Sequence, residues 1–72
     1  MDNKTIKRLV DDAKEIYWKD EWWTVDEKND KWVILQNEAT GDFTYPTGLE
    51  ELYDAKFYKR VMLKPEDYAD AN

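Results

Sequence analysis

An α+β fold is predicted by three features of the sequence. One amphipathic stretch opens the chain, an aromatic-rich hairpin follows, and a helix-starting motif comes directly after Pro46. The expected order is α-β-β-β-α-β. An N-terminal amphipathic helix packs on a three- to four-stranded antiparallel sheet with a second short helix, and residues 1–72 form a single domain.

Residues 3–18 are read as the helix, because Ile6, Leu9, Val10, Ala13, Ile16 and Tyr17 recur at the three-four spacing of one apolar stripe. Asp2 or Asn3 supplies the N-cap. Lys4, Lys7, Arg8, Asp11, Asp12, Lys14, Glu15 and Lys19 form the solvated face, with Glu15 and Lys19 as an i,i+4 pair. Trp18 closes the core at the helix end.

The hairpin has arms Glu21–Asp26 and Lys31–Gln36 around the polar turn Glu27-Lys28-Asn29-Asp30. Its aromatic and β-branched residues suit a pleated, half-buried surface. Alternation puts Trp23 and Val25 on one face and Trp22, Thr24 and Asp26 on the other. In the second arm Val33 and Leu35 oppose Trp32, Ile34 and Gln36, so apolar groups point both ways. Ile6, Leu9, Val10, Ala13 and Ile16 are therefore expected to form the core with Trp23, Val25, Val33 and Leu35.

Turn residues 37–42 include Gly41, which is free to take a positive φ. A short third strand is expected over Asp42–Tyr45. The run from Trp22 to Pro46 loosely resembles the three-stranded WW peptide-binding module. Val33-Ile34 stands where that family has aromatic residues, so its function is not carried over. Thr47-Gly48-Leu49-Glu50 matches a capping box that begins a short helix ending near Ala55, with Leu49, Leu52 and Tyr53 inward. Residues 57–63 return to period two and end at Pro65, which predicts a last strand; residues 66–72 are an acidic, frayed tail.

Seventy-two residues bury only about 60% of the surface that the unfolded chain exposes. Four Trp, five Tyr and two Phe must supply much of the stabilisation. No Cys is present, which points to a reducing, cytoplasmic setting, and no apolar run is long enough for a membrane span. The chain also lacks His and Ser, the commonest acid–base and nucleophilic groups apart from Cys, so an enzyme is not expected. Neither a metal site nor a cofactor is expected. Asp26-Glu27-Lys28-Asn29-Asp30 lacks the oxygen pattern and glycine of a calcium loop.

The net charge is −6, and it is unevenly placed. Residues 11–54 hold 13 acids against 4 lysines, a net −9, whereas residues 1–10 carry +2 and 55–72 carry +1. Phosphate binding rests on Lys and Arg, so direct nucleic-acid binding is not expected. The inverse is physically reasonable. A compact domain of this length has a diameter near 29 Å, taking a radius of gyration of about 11 Å. B-DNA of that length carries roughly 16 charges, about half on one side. Nine excess acids are of that order.

Candidate partner-binding residues are Asp11, Asp12, Glu15, Asp20, Glu21, Asp26, Glu27 and Asp30, with Trp22 and Trp32 as aromatic anchors. In size, acidity and lack of catalytic residues the chain resembles the small DNA-mimic and host-takeover inhibitors of bacteriophages. That resemblance implies a basic nucleic-acid-binding host protein as partner: a histone-like protein, a nuclease or RNA polymerase. The alternative is an aromatic-surface adaptor that binds a peptide or partner protein through exposed Trp. Lys59 and Arg60 guard the last strand only partly, which leaves edge pairing into a homodimer as a further expectation.

Overall fold

The structure, a computed structural model, describes residues 2–60. Helix α1 spans Asn3–Asp12, followed by β1 (Glu15–Trp18), β2 (Glu21–Lys28), β3 (Trp32–Asn37) and β4 (Thr47–Gly48). A 3₁₀ turn at Leu49–Leu52 then leads into β5 (Lys56–Tyr58). The strands form one antiparallel sheet in the order β4-β3-β2-β1-β5. The fold is α+β, as expected, with one strand more.

The extra strand comes from the predicted helix. Asp2 caps α1, its Oδ1 accepting from the Thr5 amide at 2.8 Å, but the helix stops at Asp12 and Ala13 is already extended (φ −76°, ψ 136°). Glu15-Ile16-Tyr17-Trp18 is rich in residues that favour a pleat, and it gains ladders on both sides, with β2 and with β5. Ile16 fits a helical stripe and a strand equally well, and the two ladders decide. The expected Glu15–Lys19 helical pair therefore does not form. Glu15 lies in a strand and Lys19 in a turn, its ammonium 4.7 Å from the Trp18 ring centroid.

The hairpin forms in the anticipated register of faces. Val33 and Leu35 are fully buried and Trp23 is buried, while Val25 packs half-buried against them. Strand β2 runs on through Lys28, and Asp26 is the extra residue of a bulge between Val25 and Glu27. The reversal itself is tightened to three residues by Asn29, whose Oδ1 accepts from the amides of Lys31 and Trp32.

Three further expectations are corrected. Residues 42–45 make only a single bridge, Phe43 to Gln36; the strand falls at Thr47–Gly48, beyond Pro46, paired with Trp32 and Val33. Thr44 explains the shortfall, because its hydroxyl takes the Leu35 amide and pulls the segment off a regular ladder. The capping motif is displaced by one residue. Glu51, not Glu50, reaches back to the Gly48 amide at 3.1 Å, while the Thr47 hydroxyl donates to the Tyr45 carbonyl. Tyr53 lies outward at 64% exposure, because the single 3₁₀ turn buries only Leu49 and Leu52. The expected strand over 57–63 is present as Lys56–Tyr58 and gives way to a bend at Lys59–Arg60; residues 61–63 and the acidic tail lie outside the described residues.

The core joins Ile6 and Val10 from α1, Ile16 and Trp18 from β1, Trp23, Val33 and Leu35 from the hairpin, and Leu49, Leu52 and Ala55. Leu9, expected within it, is half-buried. It lies at the margin of a helical face centred on Ile6 and Val10.

Candidate protein-binding surface

Helix α1 and the 3₁₀ turn cover one face of the sheet. Strand parity puts Tyr17, Trp22, Thr24, Ile34, Gln36 and Tyr58 on the other, where all six are half-buried and no described helix lies over them. Tyr17 stands opposite Trp22 in the ladder, which brings their rings to a 5.0 Å centroid separation. Tyr58, on β5 beyond β1, also reaches Trp22, at 5.4 Å. Tilted aromatic pairs at this range attract beyond their area burial. Phe43, 56% exposed, extends the apolar surface beside Gln36.

The candidate acids separate into distinct environments. Asp11 is held by two lysines, Lys28 at 3.0 Å and Lys7 at 3.2 Å. The Lys28 and Lys7 ammoniums together keep its carboxyl below the usual carboxylate range. Asp30 lies 3.6 Å from the same Lys7. Lys7 is in turn raised above its ordinary value, chiefly by Asp11 and secondarily by Asp30. These contacts tie α1 to the distal end of the hairpin. Glu15 is buried, at 3% exposure.

Asp12, Asp20, Glu21, Asp26 and Glu27 are exposed and form no ion pair among the described residues. Four of them follow β2, with Asp20 and Glu21 at its start and Asp26 and Glu27 near its end. The strand rise of about 3.3 Å per residue separates the two groups by roughly 20 Å. Glu38 and Asp42 join the first group, because the Glu38 amide donates to the Trp22 carbonyl and the Asn37 amide to the Asp42 carbonyl. Trp22 therefore stands at the acidic end of the open face. Trp32 is half-buried at the far end, opposite Gly48.

A cleft of about 350 Å³ beside Tyr17 is lined by Tyr17, Trp18, Lys19, Asp20, Asp54 and Lys56. Its charges balance, two ammoniums against two carboxylates. Among the described residues no three carboxylates gather to hold a metal ion, and no helix is long and apolar enough to cross a membrane. A helix over residues 3–18 does not bring Tyr17 and Tyr58 to Trp22; the strand at 15–18 does. The strand signal, four residues of EIYW after a break at Ala13-Lys14, was present. Compared with family models, curated proteins and solved structures, the chain has no match.

Proposed function

We propose that this chain is a non-enzymatic, cytoplasmic inhibitor that takes the place of nucleic acid on a basic host protein, as small phage-encoded DNA mimics do. One observation carries the reading. Lys7 and Lys28 neutralise Asp11 and Asp30 on the helix side, whereas Asp20, Glu21, Asp26 and Glu27 along β2 are exposed and have no ion-pair partner among the described residues. Their exposed carboxylates are spaced along the strand over a length comparable to several phosphates of one DNA strand. Such a row acts as a field that steers a basic surface towards it and weakens as salt screens it.

The test is competition. The full chain should displace duplex DNA from a purified histone-like protein, and displacement should fade as the Debye length shrinks from about 10 Å at 0.1 M to about 3 Å at 1 M salt. Replacing Asp20, Glu21, Asp26 and Glu27 together with amides should abolish it with the fold intact. Undiminished displacement by the quadruple variant, or indifference to 0.5 M salt, would overturn the reading. Such results would favour the adaptor, for which Trp22 and its two tyrosines on the open face are the specific support.

A further inference from the structure

We propose that Trp22, flanked by Tyr17 and Tyr58, is a stacking platform for an arginine side chain on a basic protein segment. This deepens the reading above and rests on its assignment of a basic protein partner. The platform has an independent structural basis. Two rings, with centroids at 5.0 and 5.4 Å, pack on the Trp22 indole from the β1–β5 side of its strand and restrict its orientation. The ring lies on a sheet face that no described helix covers, and it remains half-buried.

Charge complementarity identifies the occupant. Asp20 and Glu21 immediately precede Trp22, and Glu38 and Asp42 are held at the same end of the sheet by backbone bonds. Asp54 lines the adjoining cleft with Asp20, and with Lys19 in the turn and Lys56 opposite Tyr17 this end carries five acids against two lysines. A cation approaching the indole is drawn by the carboxylates and by the negative face of the ring. The chain already holds one such contact, with the Lys19 ammonium over Trp18. Trp22 has no cation of its own among the ring contacts of the described residues. Arginine fits better than lysine because its planar guanidinium stacks on an aromatic face while its edge donates to carboxylates. An ammonium is a compact, strongly hydrated charge and gains less from the ring.

Hexa-arginine and hexa-lysine carry equal charge, so their affinities for the full chain at 0.1 M salt separate stacking from the general field. Hexa-arginine should bind at least about threefold tighter, and Trp22→Leu should erase that preference while leaving hexa-lysine binding nearly unchanged. The quadruple amide variant should weaken both peptides together and keep their ratio. In the parent, the Trp22 indole resonance should move with hexa-arginine, a readout that does not depend on whether Trp22→Leu folds. Equal affinities, a preference that survives Trp22→Leu, or an unmoved Trp22 resonance would overturn the platform. Continued displacement of DNA alongside any of these would leave the acidic field standing without it.

Discussion

The indole N–H of Trp23 donates to the backbone carbonyl of Trp18 at 2.9 Å, spanning a turn whose two residues, Lys19 and Asp20, both have positive φ (53° and 62°). Two left-handed residues match the twist of a two-residue hairpin, but Asn-Gly is the favoured pair and Lys-Asp is strained there. Lys19→Asn combined with Asp20→Gly should stabilise the domain by about 1 kcal/mol. Trp23→Phe should destabilise it by about 1 to 3 kcal/mol, because the Trp18 carbonyl loses a buried donor. Urea midpoints measure both. A double variant no more stable than the parent would show that the turn is not strained.

The two glycines should respond differently to alanine. Gly41 has φ +78° and closes the turn begun by Asn37, whose Oδ1 accepts from the amides of Ala39 and Thr40. A Cβ there has room but the wrong backbone region, so Gly41→Ala should cost about 1 kcal/mol or more. At Gly48 a Cβ would come within 2.5 Å of a Glu50 carboxylate oxygen, the far end of a flexible side chain that can move away. Gly48→Ala should therefore be nearly neutral in thermal melting.

The hairpin, its inward face and the positive φ of Gly41 were legible because each rests on strong local chemistry: alternation in two strands and a glycine in a polar turn. The fate of residues 15–18 was not, because Ile16 and Tyr17 satisfy both helical and strand periods and only pairing with β2 and β5 selects one. The same choice decided the candidate surface. Once β1 is a strand, Tyr17 meets Trp22 and Glu15 is buried; neither follows from a helix over 3–18. The pairing of Asp11 with Lys28, seventeen residues away, was not legible either, because only the folded hairpin brings the two together.

Helix α1 offers a direct check on where its apolar face points. Ile6 is fully buried, so Ile6→Ala should cost about 2 to 5 kcal/mol, a large part of so small a domain's stability. Leu9 is half-buried, and Leu9→Ala should cost clearly less. Equal losses in chemical denaturation would mean that the helix is rotated towards Leu9.

Acid stability should report the Asp11 contacts. Its carboxyl is lowered from the usual 3.8, first by Lys28 and then by Lys7. A lowered folded-state value contributes stability that is present above the unfolded value and lost as pH falls through the folded one. Asp11→Asn should therefore be less stable than the parent at neutral pH, with a flatter stability profile below about pH 4. Parallel profiles of the two proteins down to about pH 2 would show that the Lys28 and Lys7 contacts do not form in solution.

Binding and stability should then separate between two sets of acids. Asp11 is committed to two lysines inside the molecule, so Asp11→Asn alters stability but removes little of the charge that a partner meets. The exposed acids of β2 are the reverse case. They repel one another and have no ion-pair partner among the described residues, so their amides should leave thermal stability unchanged or slightly raised. Because a field is shared, any single amide among Asp20, Glu21, Asp26 and Glu27 should weaken binding to a histone-like protein by only about 0.2 to 1 kcal/mol, whereas all four together abolish it. Measured in parallel, melting temperature and DNA displacement should thus rank these variants in opposite orders. A single β2 acid whose amide alone abolishes displacement would replace the distributed field with one specific ion pair.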